Sequence, residues 1–151
     1  MIEIKRIEDM GLVIEDLEHL HKSYWEEMQQ HRESRYAPRF DLLKHYWQLG
    51  VVRSWGAFDD DRLVGHLTAF VTTSIHSGES VATEDRLYVL PEYRTGTGRA
   101  LLKKAISDLR KEGVEELWAT CEPITRVGPL LERQGFSHVA NAYMMRLERM
   151  H

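Results

Sequence analysis

Apolar residues change their period several times along the chain, and each change marks an element. Ile2, Ile4 and Ile7, interrupted by Glu3, Lys5 and Arg6, read as a short opening strand at a sheet edge, with imperfect alternation. Over residues 14–30, Leu17, Leu20, His21, Tyr24, Trp25 and Met28 recur at helical spacing among acidic and polar residues, which predicts an amphipathic helix. Residues 31–39 are polar and basic and end around Pro38, so they read as a connector. Residues 40–49 return to helical spacing through Leu42, Leu43, Tyr46 and Trp47, with Gly50 as a stop. Residues 51–58 and 63–75 are strand-like runs joined by Asp59-Asp60-Asp61-Arg62, an acidic hairpin turn, so they should pair antiparallel. A turn over residues 76–80 brings the chain back as a third antiparallel strand, residues 81–90.

That strand stops at Pro91, which can neither donate a ladder hydrogen bond nor continue a central strand. Beyond it Leu101, Leu102, Ala105, Ile106 and Leu109 form one face of a helix, Lys103, Lys104, Ser107, Asp108, Arg110 and Lys111 the other, and Gly113 ends it. Leu117, Trp118 and Ala119 make a compact strand core, and a strand-helix-strand crossover implies parallel pairing with the 81–90 strand. Pro123 and Gly128-Pro129 frame a short helix centred on residues 130–134. Residues 136–147 are expected to supply two last strands around a turn near Ala140-Asn141. The fold class expected is α/β, a mixed, mostly antiparallel central sheet with helices on both faces. Strand 83–90 should be central in it and splayed from residues 117–121.

Composition narrows the class. A chain of 151 residues with 42% hydrophobic content suits one packed domain, expected over residues 1–151. A formal charge of −4 argues against a nucleic-acid partner, which would call for a basic stripe, and leans toward a cationic acceptor. One cysteine, Cys121, precludes an intramolecular disulfide, the first residues lack a signal-peptide apolar core, and no apolar run is long enough to span a membrane. A cytoplasmic protein without a membrane partner is expected, and a homodimer stays open. The eight histidines show no metal-ligand spacing, so no metal site is predicted.

Between the central strand and its helix lies Arg94-Thr95-Gly96-Thr97-Gly98-Arg99-Ala100. Missing side chains there let backbone N–H groups approach an anion, and the helix N-terminus adds partial positive charge, so a phosphate would bind here. Two glycines before a helix also make a plain tight turn. No Gly-Lys-Ser/Thr follows, which excludes a Walker loop, and the third glycine of a dinucleotide fingerprint would fall at Leu101.

Glu84-Asp85, Leu87-Tyr88-Val89, Pro91-Glu92-Tyr93-Arg94 and Gly98-Arg99-Ala100-Leu101-Leu102 together resemble motif A of the GNAT superfamily of N-acetyltransferases. Leu130-Leu131-Glu132-Arg133-Gln134-Gly135-Phe136 resembles its motif B. The resemblance implies acetyl transfer from acetyl-CoA, as co-substrate, to an amine of a small molecule or a protein. The pyrophosphate would suit the amides of Thr95, Gly96, Thr97, Gly98 and Arg99, with Arg94 and Ala100 flanking them. The pantetheine arm would pair like a strand with the backbone of Leu87, Tyr88 and Val89. In this family the two-helix region faces the acceptor. The plainer reading of Tyr24, Trp25, Tyr46 and Trp47 is as core residues.

An ammonium must lose a proton before it attacks a thioester, and Glu84 and Asp85 are the candidate bases. In a regular strand they point to opposite faces, so only one should face the thioester. A backbone amide within residues 88–90 is the expected oxyanion donor. Two features depart from the family pattern. The glycine loop is one residue short, and Leu131 stands where a tyrosine acid is usual, which leaves Tyr143, Cys121 or water to protonate the departing thiolate. A member without turnover, binding acyl-CoA or only a protein partner, is the alternative.

Overall fold

The computed structural model describes residues 1–28, 36–121 and 125–147. The chain divides into two compact units, Met1–Ala119 and Thr120–His151. The first holds a five-stranded sheet in the order β1 (Ile2–Arg6), β2 (Val52–Asp59), β3 (Arg62–Thr73), β4 (Ser80–Val89), β5 (Glu116–Trp118). The first three pairings are antiparallel, and the β4–β5 pairing is parallel, as a helical crossover requires. The expected mixed, mostly antiparallel sheet is what forms, with β1 at one edge and β4 in the interior. The predicted acidic turn is a two-residue hairpin loop, Asp60-Asp61, with Asp60 at φ 54°.

Cross-strand register shows which residues share a face. Arg6, Trp55 and Leu67 are mutual partners on one face. Helix α3 (Thr97–Lys111) packs there, because the Trp55 indole donates to Asp108 Oδ2 at 2.8 Å from a fully buried position. Leu101, Leu102, Ala105 and Leu109 of α3 are buried, the stripe read from the sequence. The alternate residues Gly56, His66 and Tyr88 are also mutual partners, on the opposite face. That face meets α1 (Ile14–Met28) and α2 (Phe40–Gln48), with His21 stacked on His66 and Tyr46 set edge-on to Phe70. Helices therefore cover both faces. Leu17 and Leu20 anchor α1 in the core, and Asp16 Oδ2 accepts the Leu63 N–H at 3.0 Å, tying α1 to the start of β3. Predicted helix residues Gln29 and Gln30, the connector's first half and Pro123 lie outside the described residues.

The second unit corrects two expectations. Helix α4 (Val127–Arg133) contains Gly128 and Pro129 instead of starting after them. The missing N–H of proline costs nothing in a first helical turn, where amides lack intrahelical acceptors. The two strands expected over residues 136–147 do not form among the described residues. Val139, Tyr143, Met144, Met145 and Leu147 are each at least two-thirds exposed. Strand propensity expresses fit to a pleated, half-buried surface, and without a pairing edge these residues gain nothing from extended order.

Two buried polar groups generate predictions. Asp108→Ala leaves the buried Trp55 indole N–H without its acceptor, so urea denaturation should show a loss of about 1–3 kcal/mol, with Asp108→Asn milder. His66 is the reverse case: it is buried, and neither ring nitrogen has a hydrogen-bond partner among the described residues. Burial holds His66 neutral, well below the ordinary histidine pKa, and burial with the Arg86 charge beside it takes His21 down to about 4. The unfolded chain protonates both near pH 6.5 while the folded chain does not, so stability is complete above about pH 6.5 and falls as the pH drops toward 4. His66→Phe should leave stability at pH 7 unchanged or raised and make that acid loss shallower; urea midpoints at pH 7 and pH 5 measure both.

Candidate active site

Strand β4 has two unequal neighbours. Its ladder with β3 runs from Ser80 to Val89, whereas its ladder with β5 consists of Val81↔Glu116, Ala82↔Leu117 and Thr83↔Trp118 and then ends. The ladder ends because β5 stops at Trp118 and does not reach Cys121, so the edge is left by a short neighbour and not by the expected divergence of two continuing strands. Leu90 N–H donates to Val64 O of β3 at 2.9 Å, while the Val89 carbonyl accepts from Arg94 Nε at 2.8 Å. Antiparallel ladders alternate, so the backbone groups of Val89, and of Leu87 two residues before it, face away from β3. The expected oxyanion donor narrows accordingly: Leu90's amide is committed to β3 and Val89's is directed away from it.

The β3–β4 register shifts between Thr68 and Ala69, which pair with Arg86 and Glu84 respectively, so Asp85 is an extra, bulged residue. Glu84 shares the α3 face with Ala69, as does Ala69's partner Arg53, which bonds Glu112 at the end of α3. Asp85 and Arg86 both line a cavity of about 380 Å³ under α1 and α2. Strict alternation would have set these neighbours on opposite faces. The bulge sets them on one, and it separates Glu84 from Asp85 as the sequence reading required.

The cavity is walled by aromatic rings, among them Tyr24, Trp25, Tyr36, Phe40, Tyr46 and Phe70. Tyr24, Trp25 and Tyr46 are therefore pocket residues and not simply core; α2 has no buried residue at all, and Trp47 lines a separate cavity beside Arg6 and Arg53. Arg86 lies with its guanidinium carbon 4.1 Å from the Tyr24 ring centre and its Nη1 3.3 Å from His21 Nδ1. Arginine only donates, so His21 Nδ1 accepts, and the ring carries its proton on Nε2. His21, His66 and Arg86 were not singled out as site residues from the sequence. The available signal was His21 on the otherwise apolar stripe of the first helix.

Following β4, a 3₁₀ turn (Pro91–Tyr93) leads to the glycine loop. Tyr93 donates its hydroxyl to Asp59 at 2.7 Å, and Arg94 Nη2 meets both oxygens of Glu27 at 2.7 and 2.9 Å. Arg94 thus pins the loop to α1 and to the end of β4. Gly96 caps α3 at φ 80°, with open space where a Cβ would stand, a conformation that glycine takes without strain. The loop delivers a regular helix start. Ala100 N–H bonds Gly96 O at 3.1 Å, so its amide is engaged, and the amides of Thr97, Gly98 and Arg99 are the ones at the helix N-terminus without an intrahelical acceptor. Thr95 lies in the turn just before. Tyr143 and Cys121 belong to the second unit, and both are exposed. Among the described residues no helix is long and apolar enough to cross a membrane, and no cluster of His, Cys, Asp or Glu could hold a metal ion.

Comparison with known proteins agrees with this architecture. No curated protein matches the sequence. Among solved structures, an aminoglycoside acetyltransferase from an uncultured soil metagenomic sample, crystallised with sisomicin, superposes with a TM-score of 0.75 at 18% identity, covering 97% of each chain. A ribosomal-protein-alanine N-acetyltransferase from Brucella melitensis biovar Abortus 2308 gives 0.73 at 18% identity, covering 98% of this chain and 100% of that one. A predicted acetyltransferase from Clostridium acetobutylicum, crystallised with acetyl-CoA, gives 0.73 at 11% identity, covering 97% and 96%. At such identities the likeness speaks for the fold. The model of the acetyltransferase (GNAT) family matches residues 14–136, most of the chain and both of its motif regions, and the protein belongs to that family.

Proposed function

We propose that the protein is an N-acetyltransferase that takes acetyl-CoA as co-substrate and passes its acetyl group to an amine, with residues 1–151 working as one catalytic domain. The observation that carries this reading is the early end of the β4–β5 ladder at Thr83↔Trp118, which opens the backbone edge of β4 that continues toward the glycine loop and α3. These residues fit acetyl-CoA. Leu87 and Val89 direct backbone groups away from β3, suited to an amide-bearing arm, and the helix start at Thr97, Gly98 and Arg99 suits a pyrophosphate. Arg94 acts through the loop that it pins to Glu27, not as a loose phosphate ligand.

Acetyl-CoA supplies an activated acyl group whose thioester carbonyl accepts a nucleophile. Asp85, exposed and turned by the bulge into the aromatic pocket, takes the ammonium proton directly or through water. The amine lone pair then forms the new C–N bond as the C–S bond breaks. Val89 N–H is the donor suited to charge developing on the carbonyl oxygen. A thiol with a pKa near 8.5 leaves with little proton assistance, so water suffices as the acid and Leu131 is no obstacle.

Calorimetry with acetyl-CoA, followed by a thiol-release screen over amines, tests the proposal; tight binding without release for any amine would favour a non-catalytic binding module. Gly98→Asp should weaken acetyl-CoA binding by about ten-fold or more. Like charges 4 Å apart repel by about 1 kcal/mol in water and about 4 kcal/mol at an effective dielectric of 20. An acidic residue in a first helical turn favours the helix, so the loss would not reflect unfolding. Asp85→Asn should lower kcat by roughly 10²-fold or more and Glu84→Gln by only a few-fold, as thiol release at saturating acetyl-CoA will show. Equal effects would remove the distinction that the bulge makes.

A further inference from the structure

Several arginines of the first unit are ion-paired: Arg6 and Arg53 both bond Glu112, Arg39 pairs with Asp41, and Arg94 pairs with Glu27. Arg86 is held differently. Among the described residues its guanidinium meets a neutral imidazole nitrogen and the face of Tyr24, and no carboxylate within ion-pair distance. These contacts orient the group without neutralising it. His21, stacked on buried His66 and set edge-on to Phe40, is held in place on two sides, so Arg86 is steered by a fixed acceptor. The outcome is a positioned cation in the wall of an aromatic pocket, ion-paired to no carboxylate among the described residues.

Its neighbour in sequence, Asp85, lines the same pocket because of the bulge. An α-amino acid carries an ammonium and a carboxylate on one carbon, the charges complementary to these two side chains of one pocket wall. A guanidinium recognises a carboxylate through parallel, charge-assisted hydrogen bonds that a neutral group cannot reproduce. The aromatic walls supply an apolar body to the site, and a volume near 380 Å³ is in the range of small-molecule pockets.

We propose that the acceptor is an amine bearing a carboxylate on the same carbon, an amino acid with an aromatic or large apolar side chain, with Arg86 holding the carboxylate and Asp85 receiving the ammonium. This rests on the acetyl-transfer reading for its chemistry but not for its binding geometry. It also revises the lean toward a cationic acceptor that net charge suggested: the charge inside the pocket, not the total, selects the ligand.

The test compares three molecules of one shape: phenylalanine, phenylalaninamide and 2-phenylethylamine. Each is titrated calorimetrically into the whole protein held in excess CoA. Phenylalanine should bind at least ten-fold more tightly than either of the others. Arg86→Gln should abolish that preference, and Arg86→Lys, which keeps the charge without the fork, should restore part of it. Equal affinities in the unaltered protein, or tighter binding of the amide, which mimics a peptide N-terminus, would overturn the proposal, as would failure of phenylalanine to bind. Thiol release from acetyl-CoA, followed with the same three amines, separates the two readings. Carboxylate-dependent binding without release would sink the enzymatic reading alone, and equal release from all three would sink the acceptor assignment alone.

Discussion

Strand β4 is asked to pair on both sides and does so only over its first half, and the rest of the site follows from that constraint. Its antiparallel ladder with β3 fixes it along its whole length. Its parallel ladder with β5 is three residues long, because β5 itself is three residues long. An interior strand with one long and one short partner keeps its position in the sheet while presenting backbone donors and acceptors on the second side. Burying such groups unpaired would be costly, so an extended, amide-containing ligand on that side is the partner the backbone is suited to.

The bulge adds a second consequence at the same strand. By inserting Asp85 as an extra residue, it changes which neighbours share a face, and thereby puts a carboxylate and a guanidinium side by side under α1 and α2. Electrostatics on this face is arranged by exclusion. His66 and His21 are kept neutral by burial, so the charges that remain in the pocket wall are those of Asp85 and Arg86, alongside Arg39 at its rim, which pairs with Asp41. A neutral His21 can accept from Arg86, whereas a protonated one would repel it.

The sheet was legible in the sequence because its signals are local: the strand-like runs of β2 and β3, the acidic two-residue turn, the proline after β4 and the apolar stripe of α3 each report on their own few residues. The glycine loop was legible for the same reason, and Gly96 in the left-handed conformation caps the helix that follows it. What escaped was set by register. Nothing in Glu84-Asp85-Arg86 announces that one of them is bulged, since that depends on how β3 aligns opposite. The stacking of His21 on His66 joins two elements far apart in sequence, which no local pattern reports. The residues 136–147 failed in the other direction: Val139, Tyr143 and Met145 carry strand-like pattern, but pattern without a pairing edge does not make a strand.

The central claim is that the side of β4 turned away from β3, beyond the end of β5, and the N-terminus of α3 form one binding surface. Titrating isotope-labelled protein with acetyl-CoA and following backbone amide resonances addresses it directly. The account predicts that the largest shifts fall on Leu87, Val89, Thr97, Gly98 and Arg99, with the β1 residues Ile2–Arg6 at the far sheet edge unmoved. Binding that shifts the α1–α2 pocket or β1 while leaving those five amides unchanged would contradict it.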